Sequence, residues 1–318
     1  MLISVIIPTK DRPDVLADAV RSIFVGTYQD FEIFVIDQSP NEATREIVHA
    51  FSTDPRFHYL QNRRPGFGAA SSRNLGIALS RGEVVAITDD DVEVRPDWLE
   101  RIAAAFQADP DLAFIAGRLT APPFDPTEGF TPAFDADPNL PRYQIAISVS
   151  GANFSMRRNL FDKVGGYDEF CGPGSRLRAS DDTDLCHRIL RSGAKVKICP
   201  EIEVVHTHGF RGNTDADALY KRYYYGNGGN YGRFTRRGDL RAGGWFLARE
   251  ARNFIRAIFQ VLRGRGLEEV HLSIIRLRGF WHGFSLPPNE GYVSGEQIVR
   301  LRADYKAIME IARKTQEI

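Results

Sequence analysis

The chain alternates between short β-branched runs and segments with helical periodicity, and this alternation limits the folds open to it. The runs 2–9, 31–37, 56–62 and 82–91 have the character of strands, and a segment with apolar residues three or four apart follows each one. A strand that is apolar along its whole length is typical of a parallel sheet covered on both faces. We therefore expect an α/β fold with a Rossmann-like, mostly parallel sheet flanked by helices.

The alternation loosens after Gly117. Residues 121–141 are rich in Pro, Asp and Phe and predict a long surface excursion, after which 144–158 returns to strand character. A helix is predicted over 180–193, with Ser180 as its N-cap and Gly193 as its end. We divide the chain into a catalytic domain over 1–215, with halves at about 1–117 and 118–215, and a basic, mainly helical C-terminal extension over 216–318.

The extension differs from the rest in composition. The net charge is zero, yet 18 basic and 9 acidic residues follow from Tyr220 onward. Residues 223–234 are rich in aromatics and glycine and predict a loop. An apolar helical face is predicted from Leu247 to Leu262, and a last helix opens with a capping box of Ser294 and Gln297.

Two interpretations of the amphipathic helix stay open. It lies on an anionic membrane surface, or it packs its apolar face on the catalytic domain and leaves its arginines in solvent. The last helix, with apolar residues from Ile298 to Ala312, leaves a homodimer open.

Composition excludes several classes of protein. With 318 residues and 43% hydrophobic content, the chain can bury a substantial core. Its three cysteines, Cys171, Cys186 and Cys199, form no CxxC pair, so neither a disulfide framework nor a cysteine-based zinc site is predicted, and reduced intracellular thiols are expected. Neither a signal peptide nor an apolar run of about 18 residues is visible. We expect a cytoplasmic protein, with peripheral contact at the inner face of the cell membrane left open.

Three adjacent carboxylates, Asp89, Asp90 and Asp91, end the fourth strand. Ligands of open α/β sheets bind beyond the carboxyl ends of the strands. Neighbouring carboxylates repel one another unless a cation compensates them, and hard oxygen ligands suit Mg²⁺ or Mn²⁺. Such an ion would bridge diphosphate oxygens and neutralise a departing nucleotide. The alternative is a solvated acidic turn.

Two further clusters have a functional and a structural interpretation. Asp181, Asp182 and Asp184 begin a helix, where the free N–H groups stabilise carboxylates, but one of them also suits a general base for an acceptor hydroxyl. His206 and His208 follow a strand, and a neutral imidazole there would complete a metal site beside Asp91. The alternative for the histidines is an ordinary surface turn.

Two other ligands are disfavoured. Residues 66–71 with Asp89 resemble the dinucleotide fingerprint, but they follow the third strand rather than the first, and the acid belongs to a triplet. We therefore expect no NAD. Basic and aromatic residues in the extension raise nucleic acid as a partner, but no nucleic-acid-binding module matches, so no nucleic acid is expected.

The ordered set of motifs resembles the family 2 glycosyltransferases, which have the GT-A fold. The likeness covers about residues 2–210 and is carried by SVIIPTKDRPD (4–14), VIDQSP (35–40), GAASSRNLGI (68–77), TDDD (88–91), GANFSMRR (151–158), GGYDE (165–169), SDDTDLCHR (180–188) and VVHTHG (204–209). It implies an inverting, metal-dependent transfer from a nucleotide-sugar donor to the hydroxyl of a carbohydrate or lipid-linked acceptor. Synthesis of a surface polysaccharide, glycolipid or glycoconjugate is the expected setting.

The resemblance implies a role for individual residues. The residues that would bind the nucleotide sugar are Pro8, Thr9, Asp11, Arg12, Asp37, Gln38, Arg73, Asp89, Asp90, Gly151 and Asn153. Asp91 would ligate Mn²⁺ or Mg²⁺, with Asp89 sharing the ion and His206 as an additional ligand, for which His208 is the alternative. Asp182 would be the catalytic base, with Asp181 beside it.

Gln38 departs from the family pattern, because many members carry a carboxylate there that recognises uracil. Thymidine and guanosine donors therefore stay open beside uridine. Two other functions also stay open: a sugar-phosphate nucleotidyltransferase and a non-catalytic nucleotide-sugar-binding module. The first would need a glycine- and lysine-rich loop after the first strand, where this chain has TKDRPD at 9–14.

Overall fold

An eight-stranded sheet forms the centre of the protein. The computed structural model describes residues 1–62, 68–140, 145–264 and 266–316, with side chains up to Tyr305. The strands of the sheet are β1 (Ile3–Thr9), β2 (Phe31–Asp37), β3 (Phe57–Gln61), β4 (Val84–Ile87), β5 (Glu93–Val94), β6 (Leu112–Thr120), β8 (Phe154–Arg157) and β9 (Lys195–Val205), while β7 (Gly129–Phe130) and β10 (Arg211–Gly212) pair separately. Their order is β3-β2-β1-β4-β8-β6-β9-β5.

Helices cover both faces of this sheet. They are α1 (Pro13–Phe24), α2 (Ala43–Val48), α3 (Gly68–Leu79), α4 (Trp98–Ala108), α5 (Leu160–Val164) and α6 (Asp181–Arg191), followed by α7 (Asn213–Arg236), α8 (Leu240–Leu262), α9 (Glu268–Ser285) and α10 (Gly295–Gln316). Short 3₁₀ turns lie at His49–Phe51 and Gly151–Asn153. The predicted α/β fold with a mostly parallel sheet is confirmed.

Strand β1 lies in the middle of the parallel part of the sheet, paired with β2 and β4. Because side chains alternate along a strand, Val5 and Ile7 enter the core on one face of the sheet, whereas Ile6 enters the core on the other. All seven residues of β1 are buried. The parallel pairing brings the carboxyl ends of β1, β2 and β4 to one edge, which is where the sequence predicted the site.

The second half of the sheet is mixed. Strand β8 runs antiparallel between β4 and β6, and β6 pairs in parallel with β9. The strand predicted over 144–158 is shorter in the structure, because Gly151–Asn153 turns before β8 begins. Phe154 pairs with Ile87, so this turn lies beside the carboxyl end of β4.

Helix α6 begins and ends as predicted, but its cap differs. Ser180 occupies the N-cap position in a left-handed conformation (φ 71°), and its side chain makes no capping hydrogen bond. The predicted Ser180 cap is therefore wrong in its chemistry: a left-handed backbone does not have the extended geometry of a typical N-cap. Gly193, with φ 77°, ends the helix as expected.

The prediction of a loop over 223–234 is wrong, since these residues form the middle of the 24-residue helix α7. A side-chain carbon added at Gly228 would come 2.0 Å from the carbonyl oxygen of Arg276, and one added at Gly232 would come 2.0 Å from that of Phe280. The glycines therefore let the backbones of α7 and α9 touch. Glycine costs a helix about 1 kcal/mol relative to alanine, and here the close packing of two helices offsets that cost.

Helix α8 packs with a different face from the expected one. Most of the predicted apolar residues are exposed, with exposed fractions from 40% at Leu247 to 76% at Leu262, and Phe254 is half-buried. Its buried residues are Gly243, Phe246, Glu250 and Ala257. The alternative in which the apolar face packs on the catalytic domain is therefore wrong. In the described parts of the chain, no helix has a stretch apolar enough to serve as a transmembrane segment.

Buried ion pairs join the extension to the catalytic domain. The Asp168 carboxylate is fully buried and accepts hydrogen bonds of 2.6 Å from Arg233 and from Arg237, both on or just after α7. Removing one partner of a buried pair leaves an uncompensated charge, at a cost of about 3–5 kcal/mol. These contacts fix α7 against the catalytic domain.

The last helix returns to the catalytic domain. The predicted capping box is confirmed, because the Ser294 N–H donates to Gln297 Oε1 at 2.8 Å and the Gln297 N–H donates to Ser294 Oγ at 3.3 Å. Ile298 is buried in the core of its own chain and Leu301 packs against it, so this part of the helix is not free to pair with a second subunit. The side chains of Ile308 and Ala312 lie outside the described residues.

Candidate functional site

Two adjoining cavities form one cleft at the carboxyl ends of β1, β2 and β4. The larger chamber, of about 740 Å³, is lined by residues that include Thr9, Gln38, Asp90 and Asp91. The smaller chamber, of about 390 Å³, is lined by residues that include Gly151, Asp182 and several side chains of the extension. Both chambers share the residues Arg73, Asp89, Pro132, Pro173, His206 and Tyr223. The two chambers are therefore halves of one site.

Seven residues that were expected to bind the nucleotide sugar line the larger chamber. These residues are Pro8, Thr9, Arg12, Gln38, Arg73, Asp89 and Asp90. Asp37 lies behind the chamber, because its carboxylate is fully buried and accepts hydrogen bonds from the Ser39 N–H (2.8 Å) and the Tyr59 hydroxyl (2.7 Å). The Asp37 carboxylate supports the turn that presents Gln38 and Ser39.

Asp11 also lies beside the chamber rather than in its lining. Its side chain is exposed, its φ is 56°, and its backbone N–H donates to Ser39 Oγ at 2.8 Å. Asp11 thus joins the loop after β1 to the loop after β2.

The three consecutive carboxylates differ in their partners, although Asp90 and Asp91 share Arg12. Asp90 accepts from the Thr9 hydroxyl at 2.7 Å and from Arg12 at 3.1 Å. Burial and the charge of Asp91 raise the pKa of Asp90 to about 6. Burial acts in the same direction on Asp91, but hydrogen bonding to His206 and the charges of His206, Arg12 and Arg211 outweigh it and lower its pKa to about 2. Asp91 is therefore ionised at neutral pH.

The Asp91–His206 pair has the geometry of two ligands of one cation. Asp91 Oδ1 and His206 Nε2 are 3.2 Å apart. Adjacent ligands of an octahedral ion with bonds near 2.1 Å are about 3.0 Å apart. His206 Nδ1 is 3.0 Å from the Pro132 carbonyl oxygen and donates to it, which leaves Nε2 available as a ligand. The residues therefore fit Mn²⁺ or Mg²⁺.

The rest of a metal coordination shell would have to come from the substrate and water. Among the residues that the structure describes, no group of three or more His, Cys, Asp or Glu side chains is arranged to hold an ion. Asp89 Oδ1 instead accepts from Arg73 Nη2 at 2.7 Å. The His208 imidazole lies outside the cleft lining, 3.5 Å from Asp18, so the fold brings the imidazole of His206 and not that of His208 to the Asp91 carboxylate.

Asp182 lines the smaller chamber. Its Oδ2 accepts from the Gly151 N–H at 3.1 Å, and its Oδ1 accepts from the Thr183 N–H at 2.7 Å. Burial and the charge of Asp181 raise the pKa of Asp182 to about 6. A side-chain carbon at Gly151 would lie 2.9 Å from Asp182 Cβ, so this approach requires glycine. A carboxylate with a pKa close to neutral is suited to general-base catalysis.

Arg73 joins the two chambers. Its buried guanidinium donates to Asp181 through Nη1 and to Asp89 through Nη2. The two carboxylates thereby share one positive charge, and Asp181 is a partner of Arg73 rather than a second free base.

Asn153 lies behind the cleft rather than in its lining. Its side chain is fully buried, accepts from Trp98 Nε1 at 3.0 Å, and donates to the carbonyl oxygens of Arg118 and Ile202 at 2.9 Å each. These bonds tie together β6, β9 and α4. Gly151, two residues earlier, does line the smaller chamber.

Several further basic and aromatic residues of both chambers were not predicted from the sequence. In the larger chamber these residues are Lys10, Arg178, Arg211, Arg222 and Tyr223. In the smaller chamber they are Tyr224, Arg249 and Arg276, and Asn227 lies with them. They come from distant parts of the chain, and the only signal in the sequence is the excess of basic residues in the extension.

The first half of the chain matches a known protein family. The model of glycosyl transferase family 2 matches residues 4–165, which include the ends of β1, β2 and β4 and the Gly151 turn. The chain belongs to this family. The predicted family is therefore confirmed.

Two curated relatives match about 70% of the chain. An uncharacterised protein, y4gI, from Sinorhizobium fredii is 32% identical over 252 residues, which are 70% of this chain and 26% of the relative. A glucosyl-dolichyl phosphate glucuronosyltransferase from Haloferax volcanii is 26% identical over 238 residues, 71% of this chain and 75% of the relative. This chain therefore spans about a quarter of the length of y4gI.

Solved structures show the same fold. A mannosyltransferase from Pyrobaculum calidifontis, in complex with GDP-Man and Mn²⁺, has a TM-score of 0.58 at 16% identity and covers 89% of this chain and 87% of its own. The TarS 1–349 protein of S. aureus has a TM-score of 0.56 at 16% identity and covers 73% and 64%. The predicted GT-A fold is confirmed.

Proposed function

We propose that the protein is an inverting glycosyltransferase that moves a sugar from a nucleoside-diphosphate sugar to an acceptor hydroxyl. The observation that carries this proposal is the position of one half-buried carboxylate, Asp182, in a chamber that adjoins the Asp91–His206 pair. The other carboxylates that line the smaller chamber, Asp89 and Asp181, are both bound by Arg73. A single base is enough for a direct displacement, in which it takes the proton of the attacking hydroxyl.

The larger chamber suits the nucleoside diphosphate. Lys10, Arg12, Arg178, Arg211 and Arg222 line it, and their charges complement the two phosphates. A divalent cation held by Asp91 and His206 would neutralise charge on the departing diphosphate. Among the solved structures, the mannosyltransferase is in complex with GDP-Man and Mn²⁺, and TarS is in complex with UDP-GlcNAc. These complexes support a nucleotide-sugar donor but do not determine its nucleobase.

The donor and its ion are tested by nucleotide binding. We expect UDP, dTDP or GDP with Mn²⁺ to raise the melting temperature, because a ligand at 100 times its Kd adds about 2.7 kcal/mol of stability. Asp91→Asn should abolish the part of the shift that depends on Mn²⁺. Asp97→Asn, which changes a half-buried carboxylate just before α4 and outside the cleft lining, is the matched control and should keep it. An unchanged Mn²⁺-dependent shift in the Asp91 variant would contradict the metal site.

The setting of the reaction is proposed from the relatives. The relatives include the glucosyl-dolichyl phosphate glucuronosyltransferase and an O-antigen biosynthesis protein, RfbC, from Myxococcus xanthus. We infer a role in surface polysaccharide, glycolipid or glycoconjugate synthesis. Release of pyrophosphate from a nucleoside triphosphate and a sugar phosphate would instead favour a nucleotidyltransferase.

We further propose that the extension holds an otherwise cytoplasmic protein against an anionic membrane surface. The exposed apolar residues Ile255, Ile258, Phe259 and Leu262 form one side of α8, and Arg252 and Arg256 are exposed beside them. An apolar face with flanking arginines is the pattern of an interfacial helix.

Vesicle binding tests this contact. The protein should sediment with vesicles that contain phosphatidylglycerol and not with pure phosphatidylcholine, and Phe259→Ser should weaken binding. Val299→Ser, which changes an exposed valine on α10, is the control and should bind like the wild type. If the protein instead dimerises through this face and ignores vesicles, membrane contact is wrong.

A further inference from the structure

A buried carboxylate with two arginines lies at the wall of the smaller chamber. Glu250 on α8 is 1% exposed and accepts from Arg249 Nε at 3.1 Å and from Arg276 Nη1 at 3.4 Å. One carboxylate is therefore shared by two guanidinium groups. The cluster of Glu250, Arg249 and Arg276 has a surplus of one positive charge. Both arginines line the smaller chamber together with Asp182.

The two guanidinium groups are held in position by aromatic rings. Arg276 lies 3.9 Å from the centre of the Tyr224 ring, and Arg249 lies 4.7 Å from that of Trp245. Arg249 also donates to Asn227 Oδ1 at 3.2 Å. Each guanidinium has more N–H donors than these contacts use, and a planar fork of donors is suited to phosphate or carboxylate.

The surplus charge is on the side of the site away from the diphosphate. Arg73, the other cation of the smaller chamber that lies close to carboxylates, is compensated by Asp181 and Asp89. The cations that suit the donor diphosphate, including Arg12 and Arg211, line the larger chamber instead. A neutral sugar acceptor gives no reason to hold two arginines over one carboxylate in this position, whereas an anionic acceptor does.

We propose that the smaller chamber binds an acceptor with an anionic group, a phosphate or a carboxylate, which Arg249 and Arg276 recognise. This inference rests on the proposed transferase function and deepens it. It also assigns a task to the extension: α7, α8 and α9 complete the acceptor side of the site, and Glu250 fixes the two arginines that read the acceptor.

Binding of small probes tests the inference directly. The probes are n-hexyl phosphate, inorganic phosphate and the neutral n-hexyl glucoside, titrated by calorimetry while a saturating nucleoside diphosphate and Mn²⁺ fill the larger chamber. Wild-type protein should bind n-hexyl phosphate more tightly than n-hexyl glucoside. Binding of inorganic phosphate would indicate that the anionic group alone is enough for binding. If inorganic phosphate does not bind, the alkyl chain contributes to binding. Either result supports the site if the arginine variants described next bind n-hexyl phosphate more weakly.

Arg249→Gln and Arg276→Gln should each weaken binding of n-hexyl phosphate about 10- to 100-fold, because each loses a charged hydrogen bond. Arg276→Lys should retain part of the affinity. Arg241→Gln, which changes an exposed arginine near the start of the same helix and outside the cleft lining, is the control and should bind like the wild type. Equal binding in the Gln variants, or equal wild-type affinity for the phosphate and the glucoside, would overturn the proposal.

Two measurements keep the outcome clear. The wild-type comparison of n-hexyl phosphate with n-hexyl glucoside does not depend on whether the variants fold. Binding of the nucleoside diphosphate is recorded first, and its absence in the wild type would contradict the transferase function itself. If the nucleotide binds and the alkyl phosphate does not, only the anionic acceptor is wrong.

Discussion

The larger and the smaller chamber are built in different ways. The larger chamber takes much of its lining from loops that follow β1, β2 and β4, within the first 91 residues, and Asp91 meets His206 from the end of β9. The smaller chamber combines the Gly151 turn, the start of α6 and three helices of the extension. The larger chamber is built mainly from strand ends and the smaller chamber mainly from helix faces. The lining of the larger chamber can therefore be predicted from the sequence to a greater extent than that of the smaller chamber.

The chambers also differ in charge. In the larger chamber the Asp91 carboxylate is ionised and faces an imidazole and two arginines. In the smaller chamber Asp182 accepts hydrogen bonds from backbone N–H groups and has a pKa of about 6. The first arrangement suits a cation and a diphosphate, and the second suits proton transfer. Substitutions that damage one chamber alone will show whether this division is real.

The largest effect is expected at Asp182. Asp182→Asn should lower the rate of sugar transfer by about 10²- to 10⁴-fold, the usual range for loss of a general base. Nucleoside diphosphate binding in the presence of Mn²⁺ should be unchanged, because Asp182 does not line the larger chamber. A transfer assay and a thermal shift on the same sample separate the two chambers. Normal turnover by this variant would contradict the assignment of Asp182 as the general base.

The rate of the wild-type enzyme should depend on pH through the same residue. The pKa of Asp182 is raised to about 6, so the base is protonated and inactive below that pH. We expect kcat to fall about tenfold for each pH unit below 6 and to be level above it. A profile that stays level down to pH 5 would disagree with this assignment.

The contact between α7 and α9 should be sensitive to a single methyl group. Gly228→Ala brings a carbon to 2.0 Å from a backbone oxygen, so the helices must separate. We expect a loss of about 1–3 kcal/mol or more in the free energy of unfolding, as in other overpacked sites. Urea denaturation measures it.

Gly244 provides the matched control, because a carbon added there meets nothing within 4 Å on helix α8. Gly244→Ala should stabilise the protein by about 0.5–1 kcal/mol, since alanine is the better helix former. If both alanines behaved alike, close packing would not be the reason for the glycines of α7.

A smaller effect on stability should accompany Asp182→Asn. Folding raises the pKa of Asp182 from 3.8 to about 6, so the folded state favours the protonated carboxyl. This contribution is fully present below pH 3.8 and is lost as the pH rises through about 6. The variant should therefore be about 1–3 kcal/mol more stable than the wild type at pH 8 and equal to it near pH 3.8. Equal stability at both values would show that the carboxylate carries no burial cost.

The parallel sheet, the edge at which the cleft lies, and the position of Asp91, Asp182 and His206 in its lining could all be predicted from the sequence. The physical reason is that parallel strands end at one edge whatever the details of packing, so residues that follow apolar runs are brought together. The capping box at Ser294 was also readable, because its two hydrogen bonds join residues three apart.

Only the tertiary structure decided which faces meet. The glycines of α7 predicted a loop, but in the structure they allow the backbone of α9 to pack against the helix. The apolar side of α8 is exposed because the helix packs through the face that carries Phe246 and Glu250. Asp37 and Asn153 match the family motifs, but their side chains do not line the cleft and hydrogen-bond instead to residues that shape it from behind. Periodicity shows that a helix has two sides, and only its neighbours determine which side is buried and which arginines reach the site.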